Sequence, residues 1–250
     1  MFMNASTPQS PKPRTPLSIL LIGPPGGGKT TLLMQFPGLL ILDCDQNLDG
    51  PERYLRNTLK QHDLSYAYES FTHNAEGKEI PVHLRYDCLM AVLKQQRGSL
   101  FKTIVIDSMT MINEFIIRKV LHEQGQPAMR PIDWQPLKSY YWSLLVSGLR
   151  SLSCNTIVTC HEVILTEPDS KQIMKEHVVC YRPSVQGGIA DYFGSFFTDM
   201  WRCEVRLAPL GRVEYYLVTA KTPKSDLKNS LGLPPEMKQD YKELAKYLPI

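Results

Sequence analysis

A glycine-rich segment near the start of the chain, Gly23–Thr30, constrains the fold more than any other part of the sequence. Its residues, GPPGGGKT, match the pattern G-x-x-x-x-G-K-[ST] in full. The preceding run, Leu17–Ile22, is rich in Leu and Ile without regular alternation, which is typical of a buried parallel strand. Glycines allow successive backbone N–H groups to surround an anion, and a helix that begins near Lys29 directs its positive end at the same point. The segment therefore predicts a strand, a phosphate-binding loop and a helix, in that order.

Two residues of this motif carry side chains with defined chemistry. Lys29 is predicted to bridge the β- and γ-phosphates of a nucleoside triphosphate, and the hydroxyl of Thr30 to ligate Mg²⁺. A glycine-rich turn that matches by chance is the alternative, and the strand–loop–helix context disfavours it. The residues predicted to bind the nucleotide are Gly23, Pro24, Pro25, Gly26, Gly27, Gly28, Lys29, Thr30 and Thr31. We therefore expect ATP and Mg²⁺ as the bound cofactors.

The length and composition of the chain suit one large α/β domain. It has 250 residues, of which 43% are hydrophobic, enough for a substantial core. Its net charge of +3 is too small to indicate a nucleic-acid partner by itself. The six cysteines form no C-x-x-C pair, which beside a phosphate-binding loop favours reduced thiols. With no signal peptide or membrane-spanning run in view, we expect a cytoplasmic protein (in the host cytoplasm if a phage encodes it) without a membrane partner.

The chain is expected to have three parts. Residues 1–16 carry four prolines among Ser, Thr and Asn, and predict a flexible leader; a Pro-rich recognition peptide is the alternative. Residues 17–235 are expected to form the α/β domain. Residues 236–250 predict a C-terminal helix over Glu236–Leu248, followed by a short tail, because Met237, Tyr241 and Leu244 recur at helical spacing.

Polar residues follow three further apolar runs, each predicted to be a strand. Leu39–Leu42 ends at an acidic cluster that includes Asp45, and Phe101–Ser108 contains Asp107. Thr156–Cys160 ends at His161. Because ligands bind at the carboxyl ends of the strands in such sheets, we expect these three side chains near the phosphates. Asp107 is predicted to meet the Mg²⁺ shell and to orient Thr30.

Together these segments resemble the core of the RecA/RadA-like ATPases, in particular the small phage-type recombination ATPases of the AAA superfamily. The resemblance covers roughly residues 17–235 and rests on Gly23–Thr31, Leu40–Asp45, Ile104–Ser108 and Ile157–His161. It implies a RecA-like P-loop NTPase core, a mostly parallel sheet flanked by helices on both faces, with antiparallel strands near the C-terminus. It also implies that Asp45 stands where the family orients the attacking water, and His161 where it senses the γ-phosphate.

The chain departs from RecA itself at both of these positions. Asp45 stands where RecA has a glutamate, and its side chain is one methylene shorter, so hydrolysis is expected to be slow or to need a partner subunit. Two roles stay open for Asp45: orienting the water as a base, or contacting the outer Mg²⁺ shell. His161 stands where RecA has a glutamine; it can still donate to a phosphate, and its charge can change near neutral pH.

The resemblance also implies contacts between subunits. In these relatives a strand pair near the C-terminus presents Lys or Arg to the γ-phosphate of the neighbouring subunit. Lys221 and Lys224 follow such a strand and are candidate catalytic residues acting in trans; a solvated basic turn is the alternative. Gln186–Ile189 occupies the place of a DNA-contacting loop, for which a plain surface loop is the alternative. Its nearby basic residues are Lys171, Lys175 and Arg182.

The function implied is that of an ATPase that assembles into a ring or filament and acts on single-stranded DNA in recombination, repair or replication. A single-strand-binding protein of phage or host is a further candidate partner. One alternative is a nucleotide-gated assembly or loading factor with little turnover. Another is a small-molecule kinase, which would need an Arg-rich lid that the sequence does not offer. An AAA+ unfoldase or clamp loader is disfavoured because Ser108, rather than Glu, follows Asp107.

Overall fold

The computed structural model describes residues 16–98, 100–168 and 176–248. The predicted leader, apart from Pro16, and the basic residues Lys171 and Lys175 lie outside the described residues. Within the described part of the chain, no helix is long and apolar enough to cross a membrane.

In the described part of the chain, a mixed sheet of nine strands forms the centre of the fold. The strands are β1 Ser18–Gly23, β2 Leu39–Asp43, β3 Tyr66–Ser70, β4 Thr103–Asp107, β5 Asn155–Pro168, β6 Glu176–Pro183, β7 Asp199–Leu207, β8 Val213–Val218 and β9 Glu236–Lys238. Their order across the sheet is β3-β2-β4-β5-β1-β7-β8-β9, and β6 pairs with β5. The run from β3 to β7 is parallel, whereas β6, β8 and β9 are antiparallel to their neighbours. The carboxyl ends of β1, β2, β4 and β5 therefore lie at one edge of the sheet.

Helices cover both faces of this sheet. They are α1 Lys29–Leu33, α2 Asp49–Asn57, α3 Val82–Gln95, α4 Met109–Gln124, α5 Trp134–Trp142 and α6 Tyr241–Leu244. Alternate residues of each strand point to opposite faces, so Leu20 and Ile22 pack with α3, α4 and α5. Ile19 and Leu21 pack instead with α1, α2 and α6. The predicted fold class, a mostly parallel sheet between two helical layers with antiparallel strands near the C-terminus, is confirmed.

Strands and helices with strong local patterns have the predicted positions. The sequence predicts a helix over Met109–Gln124, and α4 has these bounds; its Ile112, Phe115 and Ile116 are fully buried at the i, i+3, i+4 spacing of one face. For Val163–Tyr181 the sequence predicts a hairpin or a long excursion, and the outer part of β5 pairs antiparallel with β6. A helix is also predicted over Trp134–Leu152; its α-helical part ends at Trp142, and a π-helical turn, Ser143–Gly148, follows.

The predicted helix over Glu236–Leu248 is wrong for most of its length. Its first residues form β9, in which Met237 pairs with Leu217 of β8. Only Tyr241–Leu244 is α-helical, and the side chain of Asp240 caps that turn by accepting from Lys242 N at 2.8 Å. The apolar spacing was compatible with a helix, but the free edge of β8 offers backbone hydrogen bonds that a helix could not satisfy. A tertiary contact thus overrides the local period.

Candidate functional site

The glycine-rich loop between β1 and α1 needs glycine for steric reasons. Gly28 has φ +82°, in the left-handed region, and a Cβ there would lie 2.5 Å from Gln239 Oε1. Gly23 is close to β7, where a Cβ would lie 2.7 Å from the carbonyl oxygen of Cys203. The loop is closed by Gly27 N, which donates to Pro24 O at 3.0 Å. The backbone can therefore follow a tight path that a side chain at either glycine would prevent.

The ammonium of Lys29 lies inside this loop. The residue is only 6% exposed, and Nζ donates to Gly23 O and Pro24 O, each at 2.9 Å. Burial lowers the pKa of Lys29, and the charges of Cys203 and Asp107 oppose that shift. Among the described residues, no carboxylate forms an ion pair with this ammonium. A buried cation that meets only neutral carbonyls is matched by an anionic ligand such as a phosphate.

The two predicted metal ligands, Thr30 and Asp107, lie in contact. Thr30 Oγ1 donates to Asp107 Oδ2 at 2.6 Å, although the residues are on α1 and at the end of β4. Thr159 of β5 also donates to the buried Asp107 carboxylate, on its other oxygen. A hydroxyl and a carboxylate beside a phosphate-binding loop are the hard oxygen donors that Mg²⁺ prefers, so these residues fit the ion.

The carboxylate of Asp45 is held at the end of β2 by the residue after Asp107. Ser108 donates to it from its backbone N at 3.1 Å and from its hydroxyl at 2.9 Å. Burial raises the pKa of Asp45, and the charge of Asp107 adds to this, whereas the Ser108 hydrogen bonds oppose it. Asp43 supports the same turn, because its Oδ1 accepts from Asp45 N at 3.2 Å and from Gln46 N at 2.8 Å. Burial raises the pKa of Asp43 to about 6.

His161 lies beside the loop at the level of Gly23, its partner in the β1–β5 register. Its backbone N donates to Thr110 Oγ1 at 2.9 Å, which connects the middle of β5, a strand that continues to Pro168, to the first turn of α4. Burial lowers the pKa of His161, and the charge of Lys29 lowers it further. The imidazole is therefore neutral at pH 7, a state in which it still has one N–H to donate.

These side chains line one cavity of about 740 Å³, a size suited to a nucleotide. The glycine-rich loop, Asp45, Asp107 and His161 are among its lining residues. The lining also includes residues that the sequence did not identify, among them Tyr54, Leu59, Tyr215 and Gln239. Gln239 Nε2 donates to Gly27 O at 2.9 Å, although the two residues are 212 positions apart in the sequence. No local sequence pattern predicts such a contact.

The two lysines predicted to act in trans lie outside this cavity. Lys221 Nζ forms an ion pair with Asp226 Oδ1 at 2.9 Å, and both side chains are exposed. Lys224 lies in the same turn, where its carbonyl accepts from Tyr181 N at 2.7 Å. The fold does not bring either lysine to the phosphate-binding loop of its own chain. Their predicted catalytic role remains a prediction about a neighbouring copy.

Comparison with solved structures finds proteins of low sequence identity that overlap much of the chain. A KaiC-like protein from the hyperthermophilic archaeon Pyrococcus horikoshii is 13% identical, with a TM-score of 0.43 over 81% of this chain and 78% of that protein. An ATPase of the type III secretion system of pathogenic bacteria is 15% identical, with a TM-score of 0.43 over 75% of this chain and 52% of that one. EscN of enteropathogenic E. coli, solved as an assembled ATPase with its central stalk EscO, is 14% identical, with a TM-score of 0.42 over 76% and 42%. The chain thus spans about half the length of the two secretion ATPases.

No curated protein matches the chain. A protein-family model, described as the AAA domain, matches residues 15–231. This match includes the glycine-rich loop, Asp45, Asp107 and His161, which are among the residues that line the cavity. With its P-loop ATPase-type nucleotide-binding site, the chain belongs to the AAA domain family.

Proposed function

We propose that this protein binds ATP with Mg²⁺ in the cavity, hydrolyses it to ADP and phosphate, and uses the cycle to act on single-stranded DNA in recombination, repair or replication. The observation that carries the ATPase part is the buried Lys29 ammonium beside the Thr30–Asp107 pair. A buried ammonium that forms no ion pair with a carboxylate of the described residues, together with a hydroxyl–carboxylate pair, is what a triphosphate with its metal ion requires.

Five polar residues of the cavity have a role in this reaction. Lys29 binds phosphate oxygens, while Thr30 and Asp107 would hold Mg²⁺, which supplies charge neutralisation at the phosphates. The carboxylate of Asp45 accepts a hydrogen bond from the attacking water, and its raised pKa makes it a better proton acceptor. The neutral His161 donates a ring N–H to the terminal phosphate. Lys221 and Lys224 of a neighbouring copy complete the charge stabilisation in a ring or filament.

The ATPase part is tested by phosphate release. Asp45→Asn is expected to lower kcat on the order of 10²-fold or more while ATP affinity is retained, because the amide keeps the shape of the site but cannot take a proton. Lys29→Ala is expected to abolish binding or hydrolysis. Undiminished phosphate release by the Lys29 variant would overturn the assignment, and a phosphorylated small molecule among the products would identify a kinase instead.

The DNA part is tested separately with the same protein. Turnover and particle mass are measured with an ATP analogue or ATP, each with and without single-stranded DNA. We expect DNA to raise turnover and a ring or filament to form when both ligands are present. A purified single-strand-binding protein is then added as the candidate further partner. ATP hydrolysis without any DNA binding would leave the ATPase assignment standing and refute the DNA role.

One observation favours a second candidate, a nucleotide-gated assembly or loading factor. The Asp45 carboxylate already accepts hydrogen bonds from both the N–H and the hydroxyl of Ser108, so fewer of its lone pairs remain for a water. Such a protein would bind ATP tightly and turn it over slowly. Turnover that stays at background with single-stranded DNA, together with ATP-dependent assembly, would favour this candidate.

A further inference from the structure

A cluster of aromatic side chains is exposed on the face of the sheet covered by α3, α4 and α5. Trp142 at the end of α5 is 57% exposed, and Tyr192 is 41% exposed. Both rings contact the ring of the nearly buried Phe196, with centroids 5.3 Å and 6.0 Å away. None of the three lines the nucleotide cavity. Two large aromatic rings, both in contact with Phe196, are thus partly exposed to water. This exposure costs free energy that burying the rings would recover.

Cations surround the same cluster. Arg150 lies 5.7 Å from the centre of the Phe196 ring and donates to Phe196 O at 3.4 Å. Lys228 Nζ donates to Gly194 O at 2.7 Å, and Arg182 pairs with Asp191 at 2.8 Å. The segment from Asp191 to Phe196 is therefore bound by three cations and contributes one carboxylate. Its surroundings are positively charged as well as aromatic.

Exposed rings lie here beside Arg150 and Lys228, which pair with no carboxylate among the described residues, and this combination fits the chemistry of one polymer in particular. Single-stranded nucleic acid presents base faces that stack on aromatic side chains and phosphates that Arg and Lys neutralise. A duplex hides its base faces, and an apolar protein partner would gain nothing from the extra positive charge. Tyr192 N also donates to Ile189 O at 3.1 Å, so the cluster is continuous with the Gln186–Ile189 turn.

We propose that Trp142, Tyr192 and Arg150 form the binding site for single-stranded DNA, with bases stacked on the two rings and the backbone phosphates near Arg150. This inference rests on the proposed function, since it assigns the site for the partner named there. It places DNA on a surface apart from the nucleotide cavity, on the helical layer that also contains α4, whose first residue follows Ser108.

The test measures binding of a fluorescently labelled oligothymidylate by anisotropy, with ATP analogue present. Trp142→Ala and Tyr192→Ala are each expected to weaken binding roughly 5- to 100-fold, the range found when one stacked base loses its aromatic partner. Tyr68→Ala is the matched control, because Tyr68 is 61% exposed but lies on the edge strand β3. An oligonucleotide of the same length with abasic sites should bind the wild type and the two variants alike.

Two further readouts separate stacking from charge. Binding of an unlabelled oligothymidylate should quench the tryptophan fluorescence of the wild type. Trp142→Phe should remove most of that quenching while retaining most of the affinity, because Phe can still stack. Arg150→Ala should reduce the slope of log affinity against log salt by about one. ATP binding and thermal unfolding of each variant establish that the fold is intact.

The outcomes distinguish this inference from the function on which it rests. If the wild type binds the oligonucleotide but Trp142→Ala and Tyr192→Ala bind it equally well, the site assignment is overturned and the DNA role stands. If the wild type does not bind single-stranded DNA with any nucleotide, both are overturned. If the variants change only the particle mass and not the DNA affinity per chain, the surface is an interface between copies, which also overturns the assignment.

Discussion

The burial of Lys29 has opposite consequences for folding and for ligand binding. An ammonium that meets only two carbonyls carries an unbalanced charge in the interior, which disfavours the folded state until an anion binds. We expect Lys29→Met to leave the thermal unfolding temperature unchanged or higher without nucleotide, and to abolish its increase on adding ATP and Mg²⁺. Unfolding scans with and without nucleotide measure both effects. Lys94→Met, at an exposed position of α3, should retain the nucleotide-dependent increase.

The raised pKa of Asp43 makes the free energy of unfolding depend on pH. Its pKa is raised to about 6 from 3.8, so its contribution to stability is fully present below the lower value and is lost as pH rises through the higher one. The variant Asp43→Asn keeps an oxygen that can accept from Asp45 N and Gln46 N. Relative to this variant, the free energy of unfolding of the wild type should fall by about 3 kcal/mol in total as pH rises, about half of it between pH 5 and pH 8.

Urea unfolding of both proteins at these two pH values, without nucleotide or Mg²⁺, measures the difference. The exposed Asp49, in the first turn of α2, supplies the control variant Asp49→Asn, which makes the same substitution outside the core. A gap between wild type and Asp43→Asn that is the same at pH 5 and pH 8 would contradict the prediction.

The residues of the site divide sharply into those that sequence could identify and those that it could not. The glycine-rich loop, Asp107 and Asp45 come at the ends of strands with clear apolar patterns, and His161 follows the apolar run Thr156–Cys160 within β5, so their common location follows from the carboxyl-edge rule. Tyr54, Tyr215 and Gln239 reach the same cavity through the path of β8 and β9 and the packing of α2. An isolated tyrosine or glutamine has no spacing that predicts a ligand contact, so only the folded chain shows them.

At the scale of elements, the sequence predicts well what is decided locally and poorly what is decided by pairing. The helix α4 has a long apolar period and its predicted bounds, and β1, β2 and β4 are continuous apolar runs. The segment Glu236–Leu248 has a helical period as well. However, its first three residues pair with β8 as β9, and only Tyr241–Leu244 is helical. Pairing at the edge of a sheet depends on which strand lies at that edge. The order of the strands cannot be predicted from a short stretch of sequence.

The C-terminal segment supports the phosphate-binding loop from outside. Tyr241 packs on Phe36 just after α1, with ring centroids 4.7 Å apart, and Leu244 is 1% exposed. We expect Leu244→Ala to lower the free energy of unfolding by about 2–5 kcal/mol, the usual range for a buried leucine. It should also weaken nucleotide binding, because Gln239 bridges this segment to Gly27 O.

Denaturant unfolding and nucleotide titration of the same samples measure the two effects of Leu244→Ala. Glu243→Ala removes an exposed neighbour in the same turn and should change stability by less than about 0.5 kcal/mol. Full nucleotide affinity in a destabilised Leu244→Ala protein would show that the segment contributes to folding alone.

For the whole molecule, the sheet order explains where the cavity lies and why the two candidate lysines do not line it. The parallel strands β1, β2, β4 and β5 collect the loop and the acidic residues at one edge, and the C-terminal strands close one side of it. Lys221 and Lys224 lie in a turn that contacts β6, away from that edge. The resemblance in sequence identifies these lysines as catalytic candidates. Their position relative to the loop depends on the path of the chain after β8, which the sequence does not predict.

Mixing two inactive variants tests whether a neighbouring copy completes the site. Lys221→Ala keeps its own loop and Asp107, and Asp107→Ala keeps the lysine that it would present to the next copy. In a head-to-tail assembly of equal parts, about a quarter of the interfaces join an intact nucleotide site to an intact lysine, so mixing should restore that order of ATPase activity. Phosphate release is measured across mixing ratios, and a mixture of Lys29→Ala with Lys29→Ala,Lys221→Ala, in which every nucleotide site is broken, is the control that should stay inactive. Activity that never exceeds the sum of the separate variants at any ratio would show that Lys221 does not act on a neighbour, and the same design then applies to Lys224.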